Sequence, residues 1–222
     1  MFNDRSSTVD LLRTRRSGRP RDLVAPGPSA DELRRILEIA ARSPDHGKLA
    51  PWRFVHVPQG RRDALAALLQ RAYRIGNPEP GRLEVEATER FARQAPELVV
   101  ALFSPKPSPK IPLWEQQLSC GAACMNLLLA AHAMGFAGGW VTGWAAYSDA
   151  VRDAFGADPE RIAGFIFLGT PGMALEEIEA DVIRLAIGHY RGRMTEVARR
   201  LGIGRSTLYR KLGELGIGDV AA

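Results

Sequence analysis

Two arginines and a serine stand together near the start of the chain as Arg15, Arg16 and Ser17, with Arg19 close behind. A guanidinium group offers a planar fork of donors and a hydroxyl offers a short donor, and both match the oxygens of a phosphate group. The cluster therefore indicates a phosphate-binding turn. An exposed basic turn without a ligand has the same composition, so these residues alone leave both interpretations open.

The net positive charge of the chain comes entirely from its C-terminal part. Residues 1–181 hold 22 Lys and Arg against 22 Asp and Glu, whereas residues 182–222 hold eight basic residues against three acidic ones. Positive charge concentrated on a small helical segment is typical of a surface that meets the phosphates of nucleic acid. The N-terminal and C-terminal parts of the chain are therefore expected to differ in function.

Helices and strands alternate in the front part of the chain, and they must position the first cluster. A short amphipathic helix is predicted over residues 8–16. Ser29 and Glu32 have the spacing of a capping box ahead of an apolar stripe, which predicts a second helix. Residues 52–57 predict a strand, and the apolar runs at 98–103 and 162–168 predict buried strands. This alternation indicates an α+β or α/β sandwich rather than a helix bundle.

A long helix over about residues 113–134 is the predicted centre of the core, because its many small residues let neighbouring elements approach closely. Cys120 and Cys124 lie one turn apart on it. We expect two small buried residues there, since this spacing is poor for a disulfide and two thiols do not make a metal site. No metal site is predicted elsewhere.

The domain boundary is predicted at residues 172–173, where the strands end. Residues 1–172 form one domain, and residues 173–222 form a small all-α domain with helical segments at about 175–190, 194–201 and 205–214. The N-terminus is too polar for a signal peptide, and the longest apolar stretch is too short to span a bilayer. A globular protein of the cytoplasm, without a membrane partner, is expected.

Five motifs occur in a fixed order along the front part of the chain. They are RRSGR at 15–19, ARSPDHGKLAPWRF at 41–54, WEQQLSCGAACMNLLLAA at 114–131, GFAGGWVTG at 135–143 and GFIFLGTP at 164–171. Together they resemble the nitroreductase family of FMN flavoproteins, closest to its small YdjA-like branch. The resemblance covers about residues 8–171.

The resemblance implies an α+β three-layer sandwich that forms a homodimer with two FMN sites at the subunit interface. It also implies NAD(P)H as electron donor and ping-pong hydride transfer through the flavin to a small-molecule acceptor, a nitroaromatic or a quinone. The cofactor carries out the redox step and the protein supplies position and electrostatics. No catalytic acid or base is therefore predicted.

The same resemblance assigns residues to the FMN site. Arg15, Arg16 and Ser17 would bind the phosphate and ribityl end, and Arg42 and His46 would reach the flavin from the partner subunit. Backbone can approach a flat ring closely where side chains are small. Along the isoalloxazine ring would lie Trp140, Val141 and Thr142, followed by Gly143.

The last segment has the layout of a helix-turn-helix. Residues 194–217 (MTEVARRLGIGRSTLYRKLGELGI) contain two helical stretches joined at Gly202, and the second one begins with polar and basic residues. Thr195 is expected to cap the first stretch. The run 183–217 strongly resembles the Fis-type helix-turn-helix that ends NtrC-like response regulators. This resemblance implies binding of duplex DNA and a first helix that helps the domain to dimerise.

Six side chains are candidates for DNA contacts. Thr207, Arg210 and Lys211 are suited to phosphates, and Arg205, Ser206 and Tyr209 would lie nearer the bases.

Several functional hypotheses remain open from the sequence. The first is a flavin-dependent NAD(P)H oxidoreductase with an appended DNA-binding domain. The second is a transcriptional regulator whose flavoprotein-like body senses redox state or a ligand without significant turnover. Relatives continue past the Gly-Thr-Pro segment with a tail that packs on the partner subunit, and other sequence follows here. An accidental or artificial fusion, or a plain nitroreductase with an inert appendage, would also have this arrangement.

Overall fold

The computed structural model describes residues 3–172 and 175–217. The chain divides into two compact units, Met1–Pro171 and Gly172–Ala222. Each unit has its own hydrophobic core, so each is described by itself.

The first unit alternates helices and strands. In chain order its elements are α1 (Thr8–Thr14), β1 (Leu23–Val24), α2 (Ala30–Ala40), β2 (Trp52–His56), α3 (Arg62–Gly76), α4 (Arg82–Arg93), β3 (Glu97–Phe103), α5 (Leu113–Ala133), β4 (Ala137–Val141), α6 (Trp144–Tyr147), α7 (Asp149–Arg152) and β5 (Arg161–Pro171).

The strands form one antiparallel sheet with β5 at its centre. The order is β1-β5-β3-β2, and β4 pairs with β5 on the same side as β1. The three predicted strands are confirmed, although β5 extends to Pro171 and the two-residue β1 was not predicted. The capping box of Ser29 and Glu32 is present at the start of α2, as predicted.

Helices cover both faces of the sheet. Because side chains alternate along a strand, Leu98, Val100 and Leu102 of β3 pack into the core with α3 and α4, whereas Val99 and Ala101 pack against α2 and α5. The predicted α+β three-layer sandwich is therefore confirmed.

Helix α5 lies in the core as predicted. Cys120 and Cys124 are both buried, and they form no disulfide bond with each other. The hydrogen bond that the Cys124 thiol donates to Cys120, together with burial, raises the pKa of Cys124 far above its usual range, which keeps that thiol protonated. These cysteines are small core residues.

The second unit is all-α, as predicted. It contains α8 (Leu175–His189), α9 (Met194–Arg200) and α10 (Arg205–Glu214) around a core that includes Ile183, Ile187, Val197 and Leu208. The expectation that Thr195 caps the middle helix is wrong. The chain turns at residues 191–193, so the helix begins earlier, with Arg193 at the N-cap and Thr195 inside α9.

Candidate functional site

The Arg15–Ser17 segment follows directly after α1. The amide of Arg15 donates to the Leu11 carbonyl and closes the helix. Arg15 is half-buried, and its Nη1 lies 3.5 Å from Ser17 Oγ, so the guanidinium and the hydroxyl converge. The Arg16 amide donates to the side-chain oxygen of Asn3 at 3.0 Å. The three predicted phosphate ligands therefore form one short turn at the surface.

A histidine that the sequence did not identify as a site residue supports this turn. His132 of α5 is fully buried, and its ring nitrogens lie 2.7 Å from the Leu128 carbonyl oxygen and 3.0 Å from the Arg16 carbonyl oxygen. A polar residue inside the apolar run 127–134 is the signal that could have found it, because buried polar groups need partners.

The same turn lies against β4. The Gly18 amide donates to the Gly138 carbonyl at 2.9 Å. A Cβ atom at Gly139 would lie only 2.4 Å from the Gly18 carbonyl oxygen, so only glycine permits this approach. The structure therefore brings Arg15–Ser17 next to the strand that carries the predicted ring-contacting residues, more than a hundred positions later in the chain.

Trp140 lies on the α5 side of β4. Its Nε1 donates to the Ala163 carbonyl at 3.0 Å, and a Cβ atom at Gly164 would lie 2.1 Å from that nitrogen. The indole is thus held by β5 while 38% of the residue remains exposed. Its orientation is determined by the core rather than by solvent.

Val141 ends β4 and Thr142 follows it. Val141 packs with the α3–α4 core, opposite to Trp140, and Thr142 is exposed at the strand end. Both line a cleft of about 390 Å³ together with three aromatic side chains, Tyr73, Phe91 and Trp144. A flat ring lying along β4 would therefore meet the backbone of 140–142 and only one of the two side chains Trp140 and Val141.

The Arg42–His46 segment runs along α5 and contacts it at Asn126 and at Glu115. Ser43 is buried and its Oγ accepts a hydrogen bond from Asn126 Nδ2 at 2.8 Å. His46 Nδ1 lies 2.8 Å from Glu115 Oε2, and both His46 and Arg42 are exposed. Glu115 and Asn126 are further positioning residues that the sequence did not reveal, since their partners lie far away in the chain.

His46 and the Arg15–Ser17 turn do not converge within one protomer. His46 contacts α5 at Glu115, whereas the Arg16 carbonyl contacts it at His132. Seventeen residues of helix separate these contacts, which is about 25 Å. This separation is compatible with the expectation that Arg42 and His46 serve a site on the partner subunit.

In the second unit, α10 packs through one face and presents the other. Leu208 and Leu212 are buried, whereas Arg205, Ser206, Tyr209 and Arg210 are exposed and Thr207 is half-buried. The Arg205 guanidinium lies 5.7 Å from the centroid of the Tyr209 ring, a cation–π arrangement. The start of α10 therefore presents an aromatic and cationic surface.

Acidic residues neutralise much of the remaining charge on this unit. Lys211 Nζ lies 2.6 Å from Glu179 Oε1, and Arg210 Nη1 lies 2.6 Å from Glu214 Oε1. Glu196 accepts hydrogen bonds from Arg199 and Arg200, which lower its pKa to about 2.

Within the described residues, Arg205 has no acidic partner. Of the predicted contacts, Arg205 is therefore the cation most available to an external anion.

Among residues 3–172 and 175–217, no group of three or more His, Cys, Asp or Glu is arranged to hold a metal ion. In the same part of the chain, no helix combines the length and apolar character needed to cross a bilayer.

Comparison with family models gives two matches that follow one another along the chain. Residues 12–170 match the model described as nitroreductase family, and residues 174–215 match the model described as bacterial regulatory protein, Fis family. A relative from Haemophilus influenzae, provisionally named NAD(P)H nitroreductase, is 39% identical over 178 residues, which is 79% of this chain and 94% of the relative. The provisionally named NAD(P)H nitroreductase YdjA of Escherichia coli K12 is 34% identical over 165 residues, 73% of this chain and 87% of that protein.

Solved structures show the same fold. A nitroreductase-like family protein from Bacillus cereus superposes with a TM-score of 0.64 at 20% identity, over 76% of this chain and 88% of that one. The FMN and NADPH-dependent nitroreductase NfnB from Sphigopyxis sp. strain HMH gives a TM-score of 0.59 at 21% identity, over 74% and 88% of the two chains.

Proposed function

Because the chain belongs to the nitroreductase family and carries a Fis-family helix-turn-helix domain behind it, we propose that it is an FMN-dependent NAD(P)H oxidoreductase with an appended DNA-binding function. The observation that carries the first part is the convergence of Arg15 and Ser17 beside β4. This arrangement places hydrogen-bond donors for a phosphate next to a strand that has an exposed aromatic side chain.

The residues present fit FMN at both of its ends. The Arg15 guanidinium and the Ser17 hydroxyl, 3.5 Å apart, suit a phosphate monoester, and Arg16 extends this donor set. The backbone of 140–142, with the fixed indole of Trp140 on one side, suits a flat ring. When bound, FMN would take reducing equivalents from NAD(P)H and pass them to a nitroaromatic or quinone acceptor.

The chain's own residues would bind and orient the flavin and would offer a surface to the acceptor. Arg15, Arg16 and Ser17 hold the phosphate, and His132 keeps that turn in place from the core. The neighbouring cleft, with Tyr73, Phe91 and Trp144 on its walls, offers aromatic surface to a planar acceptor. His46 is bonded to Glu115 and is assigned no proton-transfer role.

A homodimer would complete the site. Leu113, Trp114 and Leu118 on the first half of α5 expose 58%, 66% and 55% of their surface, which is a large apolar patch on the helix that also holds His46. Exposed apolar patches of this kind mark interaction surfaces. A second copy packed there would bring Arg42 and His46 of each chain towards the site of the other.

For the second unit, the exposed start of α10 supports duplex DNA as a partner. Arg205, Ser206 and Tyr209 are exposed beside the stripe of α10 that buries Leu208 and Leu212. A dimer would present two such helices, so a site with two-fold symmetry is expected.

A sensor without significant turnover is the second candidate. It is favoured by the hydrophobic core that the second unit has of its own. The two proposals differ in turnover. The protein with FMN should oxidise NADPH in the presence of a quinone under the enzyme proposal. Under the sensor proposal it would bind FMN and DNA but consume NADPH no faster than free FMN does.

A further inference from the structure

A second cleft, of about 370 Å³, lies between α3 and the loop that follows α7. Its apolar walls include Val55, Leu65, Leu68 and Phe155. The volume falls within the range of about 300–1,000 Å³ that small-molecule sites occupy. None of the residues assigned above to the flavin, the acceptor or DNA lines this cleft.

Two arginines flank the apolar part of the cleft. Arg61 precedes α3 and Arg71 lies on it, about 15 Å further along the helix axis. Ala64 and Leu68 lie between them at spacings of three or four residues. One side of α3 therefore carries a cation at each end and two apolar residues in between. The cleft is therefore amphipathic along its length.

These charges are not neutralised locally. None of the described residues that line the cleft is acidic, and neither Arg61 nor Arg71 has an acidic partner in that part of the chain. Nearby cations differ in this respect: Arg93 pairs with Asp63, and the buried Arg62 donates to backbone carbonyls. The carboxylate of Glu97 is bonded to His56 at 2.6 Å.

We propose that this cleft binds a small organic anion with an apolar body, such as an aromatic carboxylate or sulfonate. Burial of the apolar body against Val55, Leu68 and Phe155 supplies affinity, and the arginines select the negative charge. The site is separate from the proposed flavin, acceptor and DNA sites, so it would be a further ligand site of the protein.

The probe for this proposal is 8-anilinonaphthalene-1-sulfonate, an aromatic anion that fluoresces when it enters an apolar site. It is titrated into the full chain in excess FMN, which occupies any flavin site. Arg61→Gln and Arg71→Gln should each weaken binding about threefold, and the double variant about tenfold. Arg74→Gln, which removes the same charge from the same helix outside the cleft, should leave binding unchanged.

A second variant tests the cavity itself. Ala64 lines the cleft and is exposed, so Ala64→Trp fills it without changing any charge. This variant should lose the high-affinity fluorescence signal while keeping the circular dichroism spectrum of the parent. Unchanged affinity in the double arginine variant, or in Ala64→Trp, overturns the proposal, as does an equal loss in Arg74→Gln.

Discussion

The imidazole of His132 joins the central helix to the turn that carries the proposed phosphate ligands. Its Nε2 lies 3.0 Å from the Arg16 carbonyl oxygen, and its Nδ1 lies 2.7 Å from the Leu128 carbonyl oxygen. The residue is fully buried, so neither contact competes with bulk water. The backbone of the turn is thereby positioned from inside the core.

Replacing His132 tests this positioning role. His132→Ala should lower the free energy of unfolding by about 2–4 kcal/mol, because it leaves a cavity and an unpaired carbonyl. It should also weaken FMN binding in protein that remains folded. Urea denaturation and FMN titration measure the two effects, and His189→Ala removes an exposed imidazole as control. Reduced stability with unchanged FMN affinity would contradict the positioning role.

The Arg15–Ser17 turn is expected to recognise the phosphate of FMN specifically. Arg15→Gln should weaken FMN binding about tenfold to a hundredfold, the effect of one charge-assisted hydrogen bond. Riboflavin lacks the phosphate, so its affinity should change little. Arg74→Gln is the charge-matched control. Equal losses for FMN and riboflavin would show that Arg15 acts on the ring or on folding instead.

The close approach of the turn to β4 depends on Gly139. Gly139→Ala places a methyl group 2.4 Å from the Gly18 carbonyl oxygen, so the turn or the strand must shift. We expect a loss of about 1–3 kcal/mol in the free energy of unfolding. Gly60→Ala meets nothing within 4 Å and should cost far less. Similar denaturation midpoints for the two variants would argue against the described packing.

The ion pair between Arg53 and Glu160 should make stability depend on pH in the acid range. The guanidinium bonds both carboxylate oxygens, at 3.0 and 2.8 Å, and holds the pKa of Glu160 down to about 2. Because the folded-state pKa lies below the unfolded value of about 4.3, the contribution is present above pH 5 and is lost as the pH falls towards 2.

Glu160→Gln should therefore lower stability at pH 7 by on the order of 1–2 kcal/mol and flatten the profile between pH 5 and 2. Glu79→Gln changes an exposed carboxylate and is the control. A profile as steep in Glu160→Gln as in the parent would exclude this pair as a source of the pH dependence.

DNA binding should depend most on Arg205. Arg205→Ala should weaken binding to mixed duplex DNA about tenfold, because this cation has no acidic partner among the described residues. Arg210 and Lys211 are paired with Glu214 and Glu179, so their alanine variants should have smaller effects. Fluorescence anisotropy at several salt concentrations measures this, with Arg191→Ala as control. Equal losses for Arg191→Ala and Arg205→Ala would indicate nonspecific attraction only.

Local patterns predicted most of the fold. Ser29 and Glu32 are three residues apart and bond each other, so the start of α2 was readable from the sequence. The strand-forming residues of β2 and the apolar runs of β3 and β5 were also local patterns. Two-residue β1 has no such pattern, because it exists only through pairing with the end of β5. The start of α9 was misplaced because a turn, rather than the hydroxyl of Thr195, determines it.

The candidate site was less predictable because its supporting contacts are distant in sequence. The residue types of Arg15–Ser17 suggested a phosphate, but the bond from His132 joins positions 116 apart. Similarly, His46 was nominated through the resemblance, while its partner Glu115 is 69 positions away. Single-sequence periodicity carries no information on such pairs, and only the fold brings them together.

The visible absorption spectrum of the full chain with FMN is the measurement that bears most directly on the proposed oxidoreductase. We expect a yellow protein whose oxidised-flavin absorbance is lost on anaerobic addition of NADPH and returns when a nitroaromatic or quinone is added. A colourless protein that takes up no added FMN would contradict the flavin site, and bound FMN that NADPH does not bleach would contradict the oxidoreductase.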